Sequence, residues 1–197
     1  MRYNWVSPQD YLDAERLSEE KHEYFDGEVI VRLPDTAEHE TILVNIVKLI
    51  RAKTRNTDFR VRAYGLKTGL PSSKAFLYPD VIVVNGLPQH ADENLDVLQN
   101  PTVIIEIVSE NSMGEDYGRK RGFYMEIPTL AEYVLVHSSE KMLVDLFTRN
   151  RDNTWTLKLL AGPPEHLVLQ SVGISISLGD IYENVIFEPY EEPEGLI

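Results

Sequence analysis

The sequence predicts an α/β domain in which a mixed central β-sheet is flanked by α-helices, with an N-terminal helix and hairpin. Runs of β-forming residues bounded by Gly, Pro or Asn alternate along the chain with amphipathic segments of helical period. The chain has 197 residues, of which 43% are hydrophobic, and it contains no internal repeat or evident linker. We therefore predict one domain over residues 1–197, in which residues 188–197 form a loose acidic tail.

Two helices and a hairpin are predicted in the N-terminal part. Ser7 can cap a helix over residues 8–19, because its hydroxyl can accept a free amide of the first turn. The segment "HEYFDGEVIVRL" then predicts a β-hairpin, since Asp-Gly favours a two-residue turn. Apolar residues of helical period from Thr36 to about Arg55 predict a second, longer helix.

Strand-forming runs dominate the remainder of the chain. We predict strands over residues 59–64, 66–70, 78–84, 102–108 and 131–137. Residues 85–101 are polar and predict a loop. A helix is predicted from Ser112 to Glu126, with Ser112 and Glu115 forming a capping box. A hairpin around "NRDN", a short strand and a helical turn complete the chain.

The composition narrows the functional classes. The chain has no cysteine, which excludes disulfides, thiolate metal sites and a cysteine nucleophile. We find neither a signal-peptide pattern nor a run of membrane-spanning length, so we expect a cytoplasmic protein that uses no membrane. The net charge of −13 argues against nucleic-acid binding by the whole surface, but residues 48–62 are basic. DNA could therefore bind only at a local site.

Two acidic residues stand within strand-forming runs. Glu106 lies in "VIIEIV" and Asp80 opens "DVIVV". A buried, ionised carboxylate is costly without a partner. If the two strands are neighbours, the carboxylates share a small volume, and Mg²⁺, or Mn²⁺ in its place, would relieve their repulsion. The alternatives are a backbone N–H partner for Asp80 and an ion pair of Glu106 with Arg62 or Lys67.

Four further side chains are candidates for the same site. Asp116 and Lys120 are four residues apart and share one helix face, so Lys120 would reach the carboxylates if that helix packs over the sheet. There it would stabilise developing phosphorane charge or hold a water; the alternative is a solvated pair with Asp116. His39 is a phosphate contact, a proton carrier or a structural histidine. Glu28 is a third acid of the site or a cross-strand partner.

The order "YPDVIVV" and then "PTVIIEIVSENSMGEDYGRKRGFYMEIPTLAEYVLV" resembles the Uma-type restriction-endonuclease family, which has the PD-(D/E)XK nuclease fold. The resemblance covers nearly the whole chain and implies a restriction-endonuclease-like sheet. It assigns catalysis to Asp80, Glu106 and Lys120, and the metal to the two acids. Most nucleases of that fold carry a lysine where Val108 stands, whereas this family carries it on the following helix. "SENS" departs from the Ser-Pro-Ser-Thr common in the family.

The resemblance implies a Mg²⁺-dependent (or Mn²⁺-dependent) endonuclease that hydrolyses phosphodiester bonds in DNA, as a homodimer. Glu28, His39 and Asp116 would support the catalytic residues. Two other hypotheses stay open. One is a catalytically silent binding or regulatory module with the nuclease fold, which the net charge of −13 favours. The other is a phosphoesterase that acts on small nucleotides.

Overall fold

A computed structural model of the protein describes residues 5–32, 34–63, 65–70, 72, 74–109, 112–139 and 141–187. The predicted acidic tail, residues 188–197, lies outside these ranges. The helices are α1 (Pro8–Glu15), α2 (Ala37–Lys53), α3 (Met113–Glu115), α4 (Arg121–Met125) and α5 (Leu178–Ile181). The strands are β1 (His22–Phe25), β2 (Glu28–Val31), β3 (Phe59–Ala63), β4 (Lys67–Gly69), β5 (Ala75–Leu77), β6 (Val81–Asn85), β7 (Val97–Leu98), β8 (Val103–Val108), β9 (Glu132–His137), β10 (Leu143–Arg149), β11 (Trp155–Ala161), β12 (His166–Leu169) and β13 (Ile174–Ser177).

The strands form three sheets, and the predicted mixed α/β fold class is confirmed. The central sheet has the order β11-β10-β9-β8-β6-β3, in which only β8 and β9 pair in parallel. A second sheet has the order β2-β1-β5-β4-β7, and β12 pairs with β13. Helix α2 packs its apolar face against the central sheet.

Most of the predicted elements form, with shorter bounds. Ser7 caps α1 as predicted, its Oγ accepting from the Asp10 amide at 3.1 Å. This helix ends at Glu15 rather than at residue 19. The carboxylate of Glu15 accepts from the His22 amide at 2.9 Å and so holds the start of β1 beside the helix end. Both turn residues of the first hairpin have positive φ, 46° at Asp26 and 98° at Gly27, which is the conformation that Asp-Gly favours.

Two predictions of local structure are wrong. The predicted loop over residues 85–101 contains β7, which pairs with β4. The predicted capping box also fails, because Ser112 has helical backbone angles and its side chain makes no cap hydrogen bond. Its Oγ instead accepts from the Ser109 amide at 3.0 Å. The helix that follows is interrupted by a π-helical turn, Asp116–Lys120, between α3 and α4.

Strand β8 is buried on both faces, as the sequence predicts. Val103, Ile105 and Ile107 pack into the cluster that includes α2, whereas Ile104 and Val108 pack against the layer of α4. The antiparallel register of β6 and β8 pairs Val81 with Ile105. Continued by one residue, this register sets Asp80 opposite Glu106.

Candidate active site

A cleft of about 500 Å³ lies where the ends of β6 and β8 meet the first hairpin, the start of α2 and the π-helical turn. Five of the predicted site residues line it: Asp80, Glu106, Lys120, His39 and Asp116. Glu28 does not line it. Glu28 is half exposed and accepts from Arg119 at 2.7 Å, so it takes part in a surface ion pair.

The carboxylates of Asp80 and Glu106 each accept a hydrogen bond from a backbone amide of the neighbouring strand segment. The Asp80 amide donates to Glu106 Oε2 at 3.2 Å, and the Ile107 amide donates to Asp80 Oδ2 at 2.7 Å. This exchange is what adjacent antiparallel strands allow when two acids face each other across the ladder. The exposed fraction is 4% for Asp80 and 2% for Glu106. Two carboxylates are therefore held close together inside the protein.

The partner of Glu106 is neither of the two cations that the sequence suggested. Lys67 pairs with Asp96 at 3.0 Å, and the exposed Arg62 donates to the Val61 carbonyl at 3.3 Å. Instead, the Tyr124 hydroxyl donates to Glu106 Oε1 at 2.8 Å, and Lys120 Nζ lies 3.8 Å from the same oxygen. Both partners come from the segment that follows β8.

Lys120 is buried among three carboxylates. Its Nζ lies 3.2 Å from Glu23 Oε2 and 3.2 Å from Asp116 Oδ1, closer than the 3.8 Å to Glu106. The alternative of a solvated helix pair with Asp116 is wrong, since both side chains are buried. The Tyr133 hydroxyl donates to the Asp116 carbonyl at 3.0 Å and so fixes the π-helical turn on the sheet. Such turns are frequent at functional sites.

Asp80 is held from its other side by Arg32 and His39. Arg32 Nη2 donates to Asp80 Oδ1 at 2.5 Å, and its Nη1 donates to the Tyr78 carbonyl at 2.7 Å. His39 Nε2 lies 3.0 Å from Asp80 Oδ2, and Arg32 Nη2 and His39 Nε2 each lie 3.5 Å from Asp35 Oδ1. The backbone N–H partner predicted as the alternative for Asp80 is thus present, together with two basic side chains.

The environment separates the proton affinities of the two acids. Burial by itself raises the pKa of Asp80, but the hydrogen bond with His39 and the charge of Arg32 outweigh it and lower the pKa to about 2. Burial raises the pKa of Glu106 well above its usual value, and repulsion by Asp80 adds to this despite the charge of Lys120. Burial lowers the pKa of Lys120, but the carboxylates of Glu106 and Glu23 more than reverse this effect. One acid with a lowered pKa thus lies beside a second whose pKa is raised, a division typical of acid–base sites.

The residues at Asp80 fit a divalent cation. Asp35, His39 and Asp80 each offer a ligand atom, and these atoms lie within 4.8 Å of one another. Carboxylate oxygens suit Mg²⁺ and Mn²⁺, and an imidazole nitrogen favours a transition metal over Mg²⁺. The guanidinium of Arg32 occupies Asp80 Oδ1, so a cation bound to this oxygen takes the place of one arginine hydrogen bond.

Four residues of the site were not found from the sequence. Glu23, Arg32 and Asp35 line the cleft from the first hairpin and the segment after it, and Tyr124 contacts Glu106 from α4, far along the chain. Arg32 and Asp35 lie between the first hairpin and α2. The sequence pattern that could have indicated them is a basic and an acidic residue shortly before His39. Glu23 gave a weaker signal, because an acid in a four-residue strand is usually exposed.

The fold and the buried acids define a protein of the restriction-endonuclease-like class. The family model described as "Uma2: Putative restriction endonuclease" matches residues 8–179, and the chain belongs to this family. Two relatives are the uncharacterized proteins sll1609 and slr1290 of Synechocystis sp., each 29% identical. The matches cover 80% of this chain and 88% of the first relative, and 92% and 94% for the second.

The structural comparison agrees on the fold. The crystal structure of "a putative nuclease belonging to DUF820" from Anabaena variabilis superposes with a TM-score of 0.75 at 16% identity. The superposition covers 92% of this chain and 99% of that one. The predicted restriction-endonuclease-like fold is therefore confirmed. Within the described ranges, every helix is too short or too polar to cross a lipid bilayer.

Proposed function

We propose that this protein is a Mg²⁺- or Mn²⁺-dependent endonuclease that hydrolyses phosphodiester bonds in DNA. The observation that carries the proposal is the meeting of Asp80, Glu106 and Lys120 in one cleft, although Asp80 and Lys120 are 40 residues apart. Buried acids with divergent proton affinities beside a buried lysine are costly to maintain, and they are typical of catalytic sites. Membership of the restriction-endonuclease family supports the same reaction class.

Asp80 and Glu106 would hold the metal ion. His39 and Asp35, which lie on the Arg32 side of Asp80, would be further ligands of that ion. When bound, such an ion polarises the scissile phosphate and lowers the pKa of a water molecule. Lys120 keeps its charge because three carboxylates surround it, so it can stabilise the negative charge that develops on the phosphate. The low pKa of Asp80 keeps that ligand ionised at neutral pH.

A homodimer belongs to the proposal by analogy, because cleavage of both strands of a duplex requires two active sites. The cytoplasmic location stays a prediction.

A second function is favoured by one specific contact. Arg32 satisfies Asp80 Oδ1 at 2.5 Å while His39 and the Ile107 amide satisfy Oδ2, so the carboxylate is fully paired without a metal ion. A protein that kept the fold but lost turnover would have this arrangement. The alternative is therefore a catalytically silent module that binds a partner through the cleft.

One experiment separates the two functions. Mn²⁺ is titrated by calorimetry into the wild type, Asp80→Ala, Glu106→Ala and the surface control Glu165→Ala, and each protein is assayed on DNA and RNA with Mg²⁺ and with EDTA. The endonuclease predicts Mn²⁺ binding and EDTA-sensitive DNA cleavage that both acid variants lose and the control keeps. Cleavage that survives Asp80→Ala contradicts the proposal. Absence of cleavage from every nucleic acid favours the binding module.

A further inference from the structure

A band of positive charge lies along the end of α2, the turn after it and the edge strand β3. We call it the basic rim, and it consists of Lys48, Arg51, Lys53, Arg55, Arg60 and Arg62. Residues 48–62 thus carry six of the 19 Lys and Arg residues of the chain but only one of its 32 Asp and Glu residues, Asp58. In a protein with a net charge of −13, this concentration of cations marks one local surface.

The cations of the basic rim are not neutralised within the protein. None of them forms an ion pair with an acidic residue in the described part of the chain, and all except the partly buried Arg60 are exposed. Lys48, Arg51 and Arg55 follow one another at helical spacing on the same side of α2 and its end. Like charges at that spacing repel one another.

Local effects explain parts of the basic rim but not the whole. The helix dipole favours cations in the last turn of α2, where Arg51 and Lys53 lie. Charged residues on an edge strand prevent unwanted strand pairing, which would account for Arg60 and Arg62 on β3. Neither effect explains why both groups lack acidic partners in the described part of the chain. A polyanionic phosphate backbone would interact with all of them together.

The basic rim begins beside the cleft and leads away from it. The register of β3 pairs Ala63 with Val81, the residue after Asp80, and Arg62 with Ile82, so Arg62 lies two residues along the strands from Asp80. The first turn of α2 reaches the cleft with His39, and the helix carries Arg51 twelve residues later, about 18 Å away at 1.5 Å per residue. This distance corresponds to about five nucleotide steps at 3.4 Å per step.

We propose that the basic rim binds the backbone of a polymeric nucleic acid whose scissile phosphate lies in the cleft. This proposal rests on the proposed nuclease function and assigns the surface that holds the strand beyond the cleft. A single nucleotide in the cleft would not reach Arg51 or Arg55, whereas a strand that extends about five nucleotides would. The basic rim therefore contributes to binding only of a polymer, and its contacts to phosphate make binding independent of sequence in this region.

The test compares two triple variants that remove the same charge, one from α2 and the turn after it and the other from the region of β10 and β11. The first is Lys48→Gln/Arg51→Gln/Arg55→Gln. The matched control is Lys141→Gln/Arg151→Gln/Lys158→Gln, at exposed positions around β10 and β11. Binding of a fluorescent DNA of about 30 nucleotides, single-stranded and duplex, and of a labelled dinucleotide is measured by anisotropy in EDTA over a salt series.

In the basic-rim variant, the slope of log K against log salt should become shallower by about 2 to 3, because each lost phosphate contact removes about 0.7 to 0.9. The control should change it by less than about 1, and the dinucleotide should bind equally to all three proteins. Equal losses in both variants, or a wild type that binds the long DNA no better than the dinucleotide, would overturn the proposal.

The outcomes for the two proposals are distinguishable, since binding is measured without metal. If binding depends on the basic rim but no cleavage occurs with Mg²⁺, the nuclease function is contradicted and the proposal that the basic rim binds nucleic acid is supported. Cleavage whose rate and KM are the same in both triple variants contradicts the basic rim and leaves the nuclease.

Discussion

Glu106 and Glu132 are two buried glutamates in neighbouring parallel strands of the same sheet, with exposed fractions of 2% and 1%. Glu132 accepts from the Gln170 amide at 2.7 Å, the Ser171 amide at 3.3 Å and the Ser171 hydroxyl. Glu106 accepts from one amide and one phenol, and it shares Lys120 with two other carboxylates. Glu132 thus joins a loop to the sheet, whereas Glu106 lines an open cleft.

The difference shows how a structural buried acid differs from a functional one. Neutral donors satisfy Glu132, and no other titratable group takes part in those hydrogen bonds. Burial raises the pKa of Glu106, and the neighbouring carboxylates of Asp80 and Asp116 raise it further, which makes Glu106 a candidate for exchanging a proton or binding a cation. Burial alone does not separate the two residues; the donors and the neighbouring charges do.

The largest expected effect is that of Glu106→Gln on DNA cleavage, a loss of about 10²-fold or more because the ligand charge is removed. In the absence of metal, the same substitution should raise the free energy of unfolding at neutral pH. Since the folded pKa of Glu106 is raised, the wild type loses stability as pH rises from about 4.5 through that pKa, and the variant lacks this loss. Chemical denaturation at several pH values checks the sign. If the variant is less stable than the wild type at pH 7, Glu106 has a structural role like that of Glu132.

Glu132→Ala should lower the free energy of unfolding by about 2 to 4 kcal/mol, because it leaves two amides and one hydroxyl without their acceptor. The folded fraction should keep the Mn²⁺ affinity of the wild type. Urea denaturation and Mn²⁺ calorimetry measure the two quantities. Loss of metal affinity in a protein that is still folded would contradict a purely structural role.

Arg32→Gln tests whether an arginine competes with a cation for Asp80. Removal of the guanidinium from Asp80 Oδ1 should tighten Mn²⁺ binding by about tenfold, equivalent to about 1.4 kcal/mol. Calorimetry beside Arg119→Gln, whose partner Glu28 lies outside the cleft, provides the control. Unchanged or weaker Mn²⁺ binding would mean that the cation does not use this oxygen.

Glu28→Ala should have the smallest effect. Its ion pair with Arg119 is about half exposed, so the stability should change by less than about 0.5 kcal/mol, with cleavage and Mn²⁺ affinity unchanged. Thermal unfolding and the cleavage assay are sufficient to check this. A large loss of cleavage would restore the hypothesis that Glu28 is a third acid of the site.

Much of the candidate site could be predicted because its signals are local. A glutamate among β-branched residues, an aspartate at the start of another apolar run and a lysine one helix later are visible along the chain. The structure brings these three side chains together with His39 and Asp116. The π-helical turn was not predicted, since a sequence of helical period gives no sign of one extra residue in a turn.

The sequence by itself determined the elements, the two buried acids and the family resemblance, because periodicity and turn residues act over a few positions. Only the tertiary structure decided which groups surround those acids. Arg32 and Glu23 reach the cleft from the first hairpin, Tyr124 contacts Glu106 from α4, and Lys120 rather than Arg62 or Lys67 faces Glu106. The reason is that strand register and helix packing join residues distant in sequence, and small changes in either would give the same acids other partners.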